Sequence, residues 1–132
     1  MHSKTLTTLQ LVIFLSACAT ESDPAKMSEE QLEKQQTPDL CVAYGKTRSE
    51  HIEAELVRRN LLTDEEMNLI QQKKVKTGMS TCAALAVLGA PQDINEQVSN
   101  GGDREQWVYR TCDSCEASYV YIKNGKVVRP HE

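Results

Sequence analysis

The chain is 132 residues long and carries 15 Lys and Arg against 19 Asp and Glu, a formal net charge of −4. That balance argues against nucleic acid as a partner, because nucleic-acid binding calls for a basic surface. The length admits one small domain with a modest core once export and linker segments are set aside.

At the N-terminus, Lys4, an apolar run over residues 9–15, and Ser16-Ala17 before Cys18 make the pattern of a secretory signal. The run is too short to cross a bilayer, which takes roughly 20 apolar residues. Leu15-Ser16-Ala17-Cys18 resembles the lipobox of bacterial lipoproteins. The resemblance implies cleavage before Cys18 and lipidation of its thiol and freed amine. Several acyl chains, at about 0.8 kcal/mol per buried methylene, hold a small protein durably on a membrane. Ala19 rather than Asp follows, which under the sorting rule of enteric-type bacteria implies the outer membrane. Removing residues 1–17 takes away Lys4 and no acid, so the mature net charge becomes −5.

Residues 18–37 hold Ser, Glu, Lys and Gln with few large apolar side chains. Such a stretch cannot offset its ordering entropy, so it is expected to be a flexible tether with at most a transient helix over 28–35. The folded domain is expected over 38–132, helical over 38–72 and helix plus sheet over 73–132. Apart from Cys18 there are four cysteines, Cys41, Cys82, Cys112 and Cys115. An even number in an exported chain points to two disulfides with three possible connectivities, of which Cys41–Cys82 with Cys112–Cys115 is the favoured one.

In chain order, Thr37-Pro38 starts a first helix, with Leu40, Cys41 and Tyr44 on its apolar side and Gly45 as its stop. Ser49 caps a second helix over 49–60 that buries Ile52 and Leu56 with Val57 alongside, opposite Glu50, Glu53, Arg58 and Arg59. Thr63 and Glu66 have capping-box spacing for a third helix over 64–72, flanked by the staple pair Leu62 and Met67. Ser80 caps an alanine-rich fourth helix over 81–88, closed by Gly89 and Pro91. The hydrophobic period then changes to two. Strands are expected over 93–98, 104–111, 117–123 and 126–129, with turns at 99–103 and Asn124-Gly125. The expected fold class is therefore α+β, helices packed on a three- to four-stranded antiparallel meander in two layers.

No catalytic set assembles from these residues. His51 falls on a charged helix face and His131 in the tail, and the paired acids belong to a helix start and the tether. Cys112-Asp113-Ser114-Cys115 reads as a structural clip, a redox pair or half a metal site. Its place between strands, beside Asp113 and Glu116, favours the clip over a thiol of lowered pKa. No metal, cofactor or small-molecule substrate is expected. Trp107, Tyr109, Tyr119 and Tyr121 form either a buried stripe under the helices or an exposed recognition surface, and Val108, Val120 and Ile122 compete for burial.

Lys74-Val75-Lys76-Thr77-Gly78-Met79-Ser80, Leu88-Gly89-Ala90-Pro91 and Gln106-Trp107-Val108-Tyr109, in this order and behind a lipobox, resemble the SmpA/OmlA (BamE-like) family of outer-membrane lipoproteins. The resemblance spans residues 73–129. Where the barrel-assembly subunit of that family has a short Tyr-rich segment, this chain has a helical hairpin over 49–72, which implies a divergent member with its own partner. It implies a non-enzymatic interaction module, lipid-anchored at the outer membrane and facing the periplasm, whose partner is another envelope protein. Met79, Trp107 and Tyr109 would carry the scaffold, with Asn95, Arg104 and residues 58–60 as candidate partner contacts. A periplasmic enzyme inhibitor or immunity-like lipoprotein is the alternative, since such inhibitors share helix-on-sheet architecture.

Overall fold

The computed structural model describes residues 23–130, so Cys18 and His131 lie outside the described residues. The helices α1 (Glu29–Glu33), α2 (Thr37–Thr47), α3 (Glu50–Arg58), α4 (Asp64–Gln71) and α5 (Thr81–Leu88) precede the sheet. Strands β1 (Asp93–Ser99), β2 (Gly102–Tyr109), β3 (Ser118–Lys123) and β4 (Lys126–Arg129) form one antiparallel sheet in the order β1-β2-β3-β4. The class is α+β, with helices first and a four-stranded meander after them. No helix among the described residues is long and apolar enough to cross a membrane.

Short polar contacts set the helix starts. Thr63 Oγ1 accepts the Glu66 N–H at 3.2 Å while the Glu66 carboxylate accepts the Thr63 N–H at 3.1 Å, so the capping box forms. The other Glu66 oxygen accepts the Ser80 N–H at 2.7 Å, and Ser80 Oγ caps α5 through Ala83 N–H at 3.2 Å. One carboxylate thus ties the starts of α4 and α5 together. Burial pushes the Glu66 carboxyl up, but its bonds from Ser80 and Thr63 outweigh this and hold it below the ordinary carboxylate value.

Gly45 does not stop α2, which runs on to Thr47 and ends at Arg48 in the left-handed region (φ 53°). The residue serves a different purpose. A Cβ at Gly45 would lie 2.0 Å from the Ala86 carbonyl oxygen, so its absence lets α5 lie directly against α2. One helical turn away, Cys41 is joined to Cys82. Positions 41 and 45 therefore face 82 and 86, and the spacing of four on each side makes this seam. The neighbouring Tyr44 is fully buried, and its hydroxyl donates to Glu53. Burial first, then the Glu53 carboxylate, pushes its pKa up to about 12.

Packing begins earlier than residue 38. In the segment expected as tether, the Gln31 side chain accepts the Ser28 N–H at 2.9 Å, α1 forms, and Leu32 is buried in the common core. Arg59 holds this helix in place. Its guanidinium donates to the carbonyls of Leu32 (2.9 Å), Glu33 (3.1 Å) and Gln35 (3.1 Å), to Thr37 Oγ1 (3.1 Å) and to the Glu55 carboxylate (2.6 Å). It satisfies the orphan carbonyls at the end of α1, which a five-residue helix cannot satisfy itself. Hydrogen bonds from Arg58 and then Arg59 hold the Glu55 carboxyl down at about 2. Arg58 and Arg59, candidate partner contacts from the sequence, are thus engaged within the domain.

The sheet register decides which strand residues enter the core. Trp107 stands opposite Val120, and Ile122 opposite both Glu105 and Val127. Trp107, Val120, Ile122 and Val127 therefore share the inner face and are buried with the helices. Tyr119 and Tyr121 pair with Val108 and Gln106 on the outer face. The four aromatics do not form one stripe: Trp107 and Tyr109 face the core, the other two tyrosines face away. The edge of β4 is closed by backbone bonds, Gly78 N–H to Val127 O at 2.7 Å and Val127 N–H to Met79 O at 2.8 Å. Every residue of β1, by contrast, is exposed, Val98 by 84 %.

Candidate functional site

Most of the residues singled out from sequence serve the fold. Met79 and Trp107 are buried in the core, and the Trp107 indole N–H donates to the Glu105 carboxylate at 2.6 Å. Tyr109 is half-buried, and its hydroxyl donates to the Gly89 carbonyl at 3.0 Å, tying β2 to the end of α5; burial raises its pKa. Val108 is buried too, but outside the helix–sheet core cluster. Cys112 and Cys115 are bridged across the β2–β3 loop with a Cα separation of 5.0 Å, the clip arrangement, and Cys41–Cys82 forms the second disulfide. His51 is exposed on α3. Among the described residues no three His, Cys, Asp or Glu side chains gather as metal ligands would.

Asn95 and Arg104 come together on the outer face of the sheet, which no helix among the described residues covers. They line a concavity of about 570 Å³ with Gln97, Glu105, Gln106, Tyr121, Ile122, Lys123, Val128 and Arg129. The antiparallel register arranges these side chains in two adjacent rows across the strands. In the first row, Asn95 Nδ2 donates to Gln106 Oε1 at 3.0 Å, and Gln106 Nε2 donates to the Tyr121 hydroxyl at 3.0 Å. Arg129 completes the row, its guanidinium 5.6 Å from the Tyr121 ring centre. The row spans all four strands and is fixed at every step.

The second row runs Gln97, Arg104, Lys123, Lys126. Like charges directly opposite each other on neighbouring strands destabilise a sheet. Here Arg104 faces Lys123, and Lys123 faces Lys126. Among the described residues, Arg104, Lys123 and Arg129 make no salt bridge. Of these two like-charged pairs, Arg104 with Lys123 is the one that borders the concavity. Of the acids on the same strands, Glu96, Asp103 and Glu105 have the opposite parity, with Glu96 and Glu105 themselves a like-charged pair, whereas Asp93, opposite Val108, shares the outer face at its far end. Alternation along Asp103-Arg104-Glu105 thus turns Arg104 and Lys123 outward together, while Glu105, of opposite parity, still borders the concavity.

The sequence points to Asn95 and Arg104, and to Tyr121 as one of four aromatics that are either buried or a recognition surface, but not to Gln97, Gln106, Lys123 and Arg129. The signal lay in the parity of Arg104 and Lys123 about the β2–β3 loop, and the length of that loop hides it. Compared with protein-family models, with curated proteins and with solved structures, the chain matches none.

Proposed function

We propose that this chain is an outer-membrane lipoprotein, a divergent SmpA/OmlA-like member anchored through Cys18 with its domain facing the periplasm. It acts there as a non-enzymatic protein-interaction module in cell-envelope maintenance or outer-membrane protein assembly. The observation that carries the interaction reading is the concave outer face of the sheet, covered by no helix among the described residues, where Arg104 opposes Lys123 in a like-charged pair that an acidic partner would turn favourable. The signal pattern ending at Cys18 supports export and anchoring. Two disulfides in a domain of this size suit an oxidising compartment.

The test is site-specific photo-cross-linking in cells, with the cross-linker at Gln106 on the concave face or at Lys46, exposed on α2. Mass spectrometry should recover an envelope protein from Gln106 and not from Lys46, and Cys18→Ser should abolish the adduct by releasing the chain from the membrane. Recovery of one envelope enzyme, with the adduct retained in Cys18→Ser, would replace this reading with that of an inhibitor.

A further inference from the structure

The concave face carries a chemical preference, and the inference rests on the interaction reading above. We propose that it binds an extended acidic segment of a partner protein, carboxylates along the Arg104–Lys123 row and backbone amides along the Asn95–Gln106 row.

Charge complementarity is the first argument. The domain is acidic as a whole, yet Arg104, Lys123 and Arg129 converge on one concavity with no salt-bridge partner among the described residues, and the one acid in its lining, Glu105, is engaged by the Trp107 indole N–H. A carboxylate placed between Arg104 and Lys123 turns a repulsive cross-strand pair into two attractive ones. Arg129 is held in position by the Tyr121 ring, which leaves its charge available to a ligand.

The first row favours peptide as the ligand. Asn95 and Gln106 are carboxamides, each carrying donors and an acceptor. Phosphate oxygens present mainly acceptors, whereas a peptide backbone offers an N–H and a carbonyl in regular alternation at every residue. The chain of bonds Asn95–Gln106–Tyr121 already orients these groups. Val128, 47 % exposed at the rim, supplies apolar contact for side-chain stems. The shape agrees, because a flat bilayer surface does not reach the floor of a concavity and a strand of peptide does. At about 570 Å³ it has the size of a site for a short segment rather than for a folded domain.

The test uses the full chain in non-ionic micelles at low salt, with a fluorescein-labelled oligo-glutamate peptide followed by anisotropy. Saturable binding is expected, weakened about tenfold by Arg104→Glu and again by Lys123→Glu, and unaffected by Lys46→Glu. Gln106→Ala should weaken binding while leaving its salt dependence unchanged. Three results overturn the proposal: no saturable binding, an equal loss in Lys46→Glu, or binding of inorganic phosphate or phosphatidylglycerol vesicles, but not of the peptide, with the same variant pattern. If the peptide fails but Gln106 still cross-links a protein in cells, the acidic-segment inference falls and the interaction module stands. If the peptide binds but no cellular adduct forms, the envelope-partner reading falls and the preference of the groove stands.

Discussion

The seam between α2 and α5 and the outer face of the sheet use similar numbers of residues to opposite ends. At the seam, each group has a partner inside the molecule: Cys41 with Cys82, Gly45 against Ala86, Tyr44 with Glu53. On the outer face the first row is satisfied across the strands, while the second sets cation against cation. Over-determined contacts mark where the chain secures its fold. On the outer face, the like-charged pair lies in a concavity that the rest of the domain leaves open, and there the chain has room to meet something else.

The contrast breaks most visibly at the disulfides. Replacing Cys41 and Cys82 by Ala removes a link across 41 residues and should cost about 4 kcal/mol in urea unfolding. Replacing Cys112 and Cys115, only 3 apart, should cost about 2 kcal/mol. Gly45→Val comes next. Its side chain would drive into the Ala86 backbone, which cannot move aside without displacing α5, and a loss of about 3 kcal/mol is expected from denaturant midpoints. Arg59→Ala removes the cap on α1 and one partner of Glu55, for a loss of about 2 kcal/mol. Hydrogen exchange should then show α1 opening while the amides of α2 and α5 stay protected.

Acid should sharpen the same contrast. The folded Glu55 carboxyl titrates at about 2, below its ordinary value of 4.5, so the unfolded chain binds its proton first as pH falls. The Glu55 contribution is complete above pH 4.5 and is lost as pH drops toward about 2; Glu66, also lowered, acts in the same direction. Urea midpoints measured across this window should fall with pH in the wild type and fall less in Arg59→Ala.

Much of the helical half was legible because its signals are local. Thr63 with Glu66, Ser80 before the alanines, and Gly89-Ala90-Pro91 each act within one turn of chain, and each appears where its spacing placed it. Gly45 was misjudged as a stop because a glycine that permits close approach looks in sequence like one that ends a helix. Leu32 was missed because its burial depends on Arg59, 27 residues further on. The strand positions were legible one strand at a time, whereas the concave face was not. A face is shared only once β2 and β3 are in register, and a shift of one residue would have placed Tyr119 and Tyr121 beside Trp107. Asn95 and Arg104 were found singly; their partners Gln106 and Lys123 needed the pairing.

The central claim is that the Arg104 row is kept for a partner and not for the fold. It is tested most directly by the urea unfolding midpoint of Arg104→Glu, measured beside wild type at low salt. The substitution sets an acid opposite Lys123, so the account predicts stability unchanged or raised by about 0.5 kcal/mol. A loss of more than about 1 kcal/mol, the size associated with a structural role, would contradict it.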